Sequence, residues 1–157
     1  MTEIDRILDQ HERAYRGGAW HGPALGEILA GVSAEQAASR PIPNGHSIWE
    51  LVLHIAAWED AARKALDGTA IEVAEEENFP TISDTSEAAW QRALATLETS
   101  HLAFREAMVR QSDEILDASA GKVVPGRSYS FYFLLHGVVQ HNLYHAGQIM
   151  LLKKAVS

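Results

Sequence analysis

Phe131-Tyr132-Phe133-Leu134-Leu135-His136-Gly137-Val138-Val139-Gln140-His141-Asn142-Leu143-Tyr144-His145-Ala146-Gly147-Gln148-Ile149-Met150-Leu151-Leu152 is the stretch that decides the fold. Steps of four and three from Leu134 pass through Leu134, Val138, His141, His145, Gln148 and Leu152, the inward seam of an α-helix. Side chains four apart stack on one helix face, so the imidazoles of His141 and His145 can converge on one point. An imidazole in a core needs a partner for each nitrogen or it costs free energy. A metal ion is the most economical partner for two of them.

Working outward, three more helical stretches appear. The first runs from Thr2 to Arg16, with Thr2 as N-cap and Gly17-Gly18 as the stop. The second spans Ser47 to Leu66, with Ser47 and Glu50 set as a capping box and Gly68 at its end. The third, Ser86 to Gln111, carries Ala89, Ala93, Leu97, Phe104 and Met108 along one side. The fourth is the histidine stretch, Ser130 to Lys154, whose Lys153-Lys154 suits the negative end of a helix dipole. No segment shows sustained period-two alternation. Short helices are expected near Pro23–Ala30 and Ala34–Ser39. The Thr69–Thr85 linker, about 17 residues, reaches up to roughly 56 Å when extended, while a 20-residue helix is roughly 30 Å long. It is long enough to return along the bundle and let the second and third helices run parallel, and it equally permits an up-down bundle.

The composition sets limits on function. A chain of 157 residues, 46% hydrophobic and 22% charged, reads as one globular domain over residues 1–157 with a sizeable core. The formal charge of −8 and the lack of a Lys/Arg-rich window disfavour nucleic acid and anionic membrane surfaces as partners. No apolar run is long enough to span a bilayer. Met1–Arg6 lacks the basic start of a signal peptide, so a cytoplasmic location is expected. There are no cysteines, hence no thiolate ligand and no cysteine nucleophile.

A zinc or nickel centre with an open position takes three protein ligands, so a third histidine is sought on another helix. His54 is the best candidate: steps through Ser47, Leu51, His54, Trp58 and Ala61 place it on an inward stripe, as in metal sites built between facing bundle helices. The competing explanation is a hydrogen-bonded core histidine. The His-Glu-x-x-His protease motif is excluded, because Asn142 stands where that motif needs its glutamate. His136 is turned away from the seam, His46 stands at a helix start, and His21 lies in an irregular segment. His11 and His101 read as ordinary helix-face residues. Glu75-Glu76-Glu77 is a solvated run or a cover for a site mouth, and Trp49, Trp58 and Trp90 are core or interface aromatics. No general base is specified: Glu59, Asp60, Tyr144 and Gln148 lie nearby without an assigned role.

Asn44-Gly45-His46-Ser47-Ile48-Trp49-Glu50-Leu51-Val52-Leu53-His54-Ile55, followed about 90 residues later by Gln140-His141-Asn142-Leu143-Tyr144-His145-Ala146-Gly147-Gln148, resembles the DinB/YfiT-like superfamily, the damage-inducible DinB family. The likeness extends over nearly the whole chain. It implies an all-α, four-helix bundle in up-down-down-up order, commonly a homodimer, with a divalent metal on His54, His141 and His145. It also implies a small-molecule substrate. Some relatives are S-transferases using bacillithiol or mycothiol, or isomerases dependent on such a low-molecular-weight thiol; others are assigned as hydrolases. The expected activity is metal-dependent thiol S-transfer to a small electrophile. The alternatives are a metal-dependent hydrolase and a non-catalytic, metal-binding stress-response dimer.

Overall fold

Four serine or threonine caps start the four long helices in the computed structural model, which describes residues 1–124 and 127–157. Thr2 Oγ1 accepts from Asp5 N at 3.1 Å ahead of α1 (Glu3–Arg16), and Ser47 Oγ accepts from Glu50 N at 3.2 Å ahead of α4 (Ile48–Leu66). Ser86 and Ser130 do the same for α6 (Glu87–Val109) and α7 (Phe131–Ala155). Each such cap contributes about 1 kcal/mol by satisfying an amide that the helix itself leaves orphaned. Three short helices occupy the connections: α2 (Leu25–Leu29), α3 (Ala34–Ala38) and α5 (Glu75–Asn78).

Paired contacts give the directions of the long helices. Trp49 packs on Trp90 with centroids 5.1 Å apart, Glu59 lies 3.7 Å from His101, and Asp67 lies 3.4 Å from Arg110. Residue numbers climb together, so α4 and α6 run parallel, and the 69–85 linker returns along the bundle between them. On α1, Arg16 pairs with Glu98 whereas Glu12 pairs with Arg105, so α1 opposes α6. Glu59 meets Asn142 and His54 meets His145, so α7 opposes α4. The order is up-down-down-up.

The fold is all-α apart from one small element that periodicity does not reveal. A two-stranded antiparallel hairpin, β1 (Ser119–Val124) with β2 (Arg127–Ser130), precedes α7, with register irregularities between Ser119 and Val124. Gly121 at φ +85° supplies a left-handed residue there that only glycine takes cheaply. The irregular register and the small polar residues erase the apolar alternation by which a strand is recognised. The hairpin feeds α7 directly, with Phe131 N donating to Ala118 O at 3.0 Å.

The core falls into two apolar clusters. One gathers Trp49, Ile55, Trp90, Leu97 and Ile149 around the α2–α3 end; the other gathers Ile7, Phe104, Met108, Leu135 and Val138 around the hairpin end. Burying a side chain of this size contributes about 1.5–3 kcal/mol. Between the clusters each long helix contributes histidine or its partner: His11 on α1, His54 and Glu59 on α4, His101 on α6, and His141, Asn142 and His145 on α7. A polar layer thus crosses the bundle at mid-height. Among the described residues no helix is long and apolar enough to cross a membrane.

Candidate metal centre

His54 of α4 and His141 and His145 of α7 meet on one side of this layer. His54 Nε2 lies 2.9 Å from His141 Nε2, and His145 Nε2 lies 3.1 Å from the same atom. The outer nitrogens fix the tautomers. His54 Nδ1–H donates to the Asn78 carbonyl at 2.8 Å, and His145 Nδ1–H donates to Gln148 Oε1 at 2.7 Å. Each of these two neutral rings therefore presents a lone pair at Nε2. A proton on His141 Nε2 could satisfy only one of them. The arrangement leaves lone pairs facing one another, which a cation held between them would satisfy.

The donor set fits a divalent metal. Metal–imidazole bonds of about 2.0–2.1 Å separate ligand nitrogens by roughly 2.9 Å at right angles and roughly 3.3 Å at tetrahedral angles, the range observed here. All three ligand atoms fall within 4.8 Å of one another. The rings are also held in the neutral, ligating form. Burial, followed by His145 and His54, pushes the His141 imidazole down to about 4. Burial likewise lowers His54 and His145, against the opposing pull of their hydrogen bonds.

The linker builds the wall behind His54, a role that periodicity could not show. Besides accepting from His54, Asn78 accepts from Trp58 Nε1 through its side-chain oxygen at 2.9 Å. Phe79 stacks on His54 at 4.2 Å between centroids and on His46 at 3.7 Å, with the ring planes nearly parallel in both, so its ring is clamped between two imidazoles. Asn78 and Phe79 thereby orient one ligand; His46 backs the Phe79 ring and also lies 3.8 Å from Glu50 of the helix capping box. The signal in the sequence was the length of the linker itself. Glu75, Glu76 and Glu77 form the exposed turn of α5 that delivers Asn78.

A cavity of about 420 Å³ opens beside the three histidines. Its further walls include Trp58 of α4 and Phe133, Leu134, Val138 and Tyr144 of α7, with Gly137 between them. Among the described residues no Asp, Glu, Lys or Arg lines it. Trp58 is therefore a wall of the cavity, whereas Trp49 and Trp90 belong to the core.

A family model described as the DinB superfamily matches residues 19–149, most of the chain. The chain belongs to the DinB superfamily. Neither a curated protein nor a solved structure matches it. Both of the motif segments singled out in the sequence of this DinB-superfamily protein, and all three histidines, lie within the matched residues.

The structure corrects the reading of His11 and His101. Both are fully buried in the same polar layer, together with Glu59. His11 Nε2–H donates to Glu59 Oε1 at 2.8 Å, Asn142 Nδ2 donates to the same oxygen at 2.7 Å, and His101 pairs with Glu12 Oε1 at 3.0 Å. The imidazoles of His101 and His11 outweigh the burial of Glu59, which alone would raise its carboxyl, and hold it well below the usual carboxylate range. His11, Glu12 and His101 also bring ligand atoms within 4.8 Å of one another. Their rings, however, stack at 4.2 Å and 20°. Lone pairs lie in the ring planes, so nearly parallel rings do not aim at one ion. Sequence spacing missed this cluster because its members come from four helices.

Proposed function

We propose that this DinB-superfamily protein is a metal-dependent S-transferase that joins a low-molecular-weight thiol to a small electrophile. The observation that carries the reading is the convergence of the His54, His141 and His145 Nε2 atoms beside a cavity without a carboxylate. Bound on these three neutral ligands, a zinc or nickel ion supplies Lewis acidity that lowers the pKa of a thiol or water brought to it. A water nucleophile commonly also needs a side chain to take its proton, and the lining residues offer no carboxylate for that task. A thiol, with its much lower intrinsic pKa, makes no such demand. The chain has no cysteine, so the thiol arrives as a cosubstrate; bacillithiol and mycothiol are the candidates that the family resemblance suggests.

The remaining roles follow from position. The Asn78 carbonyl and Gln148 hold His54 and His145 with lone pairs inward. Trp58, Leu134 and Val138 give the cavity apolar walls. In the transfer step the thiolate sulfur bonds to the electrophilic carbon as the leaving group departs with its electron pair, and the thiol proton passes to solvent. A homodimer belongs to the same reading, supported by the exposed Tyr132, Phe133, Tyr144 and Leu151 on α7.

The test is turnover of an aryl halide electrophile by zinc- or nickel-loaded protein, with bacillithiol, mycothiol or no thiol added. Turnover that requires thiol and vanishes in His141→Ala is expected. Turnover of an ester substrate with water alone would replace this reading by a hydrolase. Stoichiometric metal with no turnover in any format would leave a metal-binding protein.

A further inference from the structure

Gly137 stands in the interior of α7, where glycine is less stable than alanine because it leaves more backbone freedom to lose. Packing does not require it: a Cβ built there meets no heavy atom within 4 Å. The space that a side chain would fill is part of the cavity beside His141, which follows one helical turn later. Phe133 lies one turn before it, and Tyr144 two turns after, on the same face. Both rings are largely exposed, at 57% and 66%, while lining the cavity. Trp58 and Val138 add further apolar wall, and among the described residues no carboxylate, ammonium or guanidinium group lines the cavity.

We infer that Gly137 is a specificity-determining residue, its missing side chain forming the notch that admits an uncharged aromatic ring as the body of the substrate. The inference deepens the proposed transferase reading, and rests on it for the word substrate but not for the binding itself. Aromatic walls favour a flat apolar ring, which stacks on or meets their edges. An enclosed apolar cavity of roughly 150 Å³ takes benzene, so about 420 Å³ holds a substituted ring with room for a second reactant at the histidines. A charged ring would lose its hydration here with no charged partner among the described lining residues to replace it.

The experiment is saturation-transfer NMR with chlorobenzene as the apolar probe and myo-inositol as a polar probe of similar size, on metal-loaded and metal-free protein. Chlorobenzene should bind both forms and inositol neither. Gly137→Leu should weaken chlorobenzene at least tenfold while leaving metal stoichiometry unchanged. Gly137→Ala should weaken it less, and serves if the leucine variant does not fold. Gly147→Leu is the control, because a Cβ at Gly147 also meets open space, outside this cavity; it should leave binding unchanged. Failure of the metal reading shows as absent metal with chlorobenzene binding intact. The inference is overturned if chlorobenzene does not bind, if inositol binds comparably, or if the Gly137 and Gly147 variants behave alike.

Discussion

Two groups of buried histidines share the middle layer of this bundle, and their electrostatics differ. In the His54/His141/His145 group the ring nitrogens converge, burial depresses the basicity of all three, and no carboxylate lies among them. In the His11/His101 group the rings stack, and the Glu59 and Glu12 carboxylates lie against the imidazole nitrogens. The first opens on a cavity; in the second, Glu59 and Glu12 each hold an imidazole through one oxygen, while His11 Nδ1, His101 Nδ1 and Glu59 Oε2 stay buried without a partner. Counting histidines within reach of one another would treat the two alike. Ring orientation and the presence of an anion separate a ligand site from a structural network.

That contrast breaks most readily at Glu59. Glu59→Ala leaves His11 and Asn142 buried without their acceptor and should cost about 3–5 kcal/mol, read as a lower urea midpoint, while metal stoichiometry is unchanged. His54→Ala loses one hydrogen bond and one ring stack and should cost the metal-free protein at most about 2 kcal/mol. Equal costs would mean that the two groups do the same structural job.

Metal removal should separate them next. Chelation should leave the helical circular-dichroism signal intact, because both apolar clusters persist without the ion. Adding a divalent metal at 100 times its dissociation constant should then stabilise the wild type by about 2.7 kcal/mol. The same addition should stabilise His101→Gln and have no effect on His141→Ala/His145→Ala. Collapse of the helical signal on chelation would make the ion structural instead.

Acid should act on the two groups in different windows. The folded-state pKa of His141 is depressed to about 4, so from about pH 6.5 down to 4 the unfolded chain takes up the proton first. Metal-free protein should therefore lose stability as pH falls through that window, and His141→Gln should remove part of this slope. The folded-state pKa of Glu59 is also depressed, but it is an acid. Its contribution is complete above the unfolded value near 4.5 and is lost as pH falls below it. Glu59→Gln should flatten only this lower limb. Urea midpoints measured from pH 3 to 7 distinguish the two slopes.

The smallest effect is expected at the linker. Phe79→Ala removes the ring clamped between His46 and His54 and should weaken metal binding about tenfold, the low end for an orienting partner. Competition with a chelator of known affinity measures it. No change would reduce Phe79 to packing.

The legible parts of this molecule were those governed by a period. Capping residues and 3.6-residue spacing marked the four long helices, and spacing of four with inward stripes gave His141, His145 and His54. His11 and His101 were misread because their burial depends on Glu59, 48 positions from His11, and nothing local announces that pairing. Asn78 and Phe79 lie in a connection, where contacts obey no repeat. The hairpin before α7 escaped notice because its irregular register and Ser119, Gly121, Ser128 and Ser130 leave no alternation to read.

The central claim is that the converging histidines, and not the stacked ones, hold the metal. Divalent metal bound per chain, measured by elemental analysis after zinc or nickel loading and gel filtration, tests it most directly. Wild type and His101→Gln should each retain about one equivalent, and His141→Ala/His145→Ala should retain less than about a tenth. Full stoichiometry in the His141→Ala/His145→Ala double variant, or its loss in His101→Gln alone, would contradict the account.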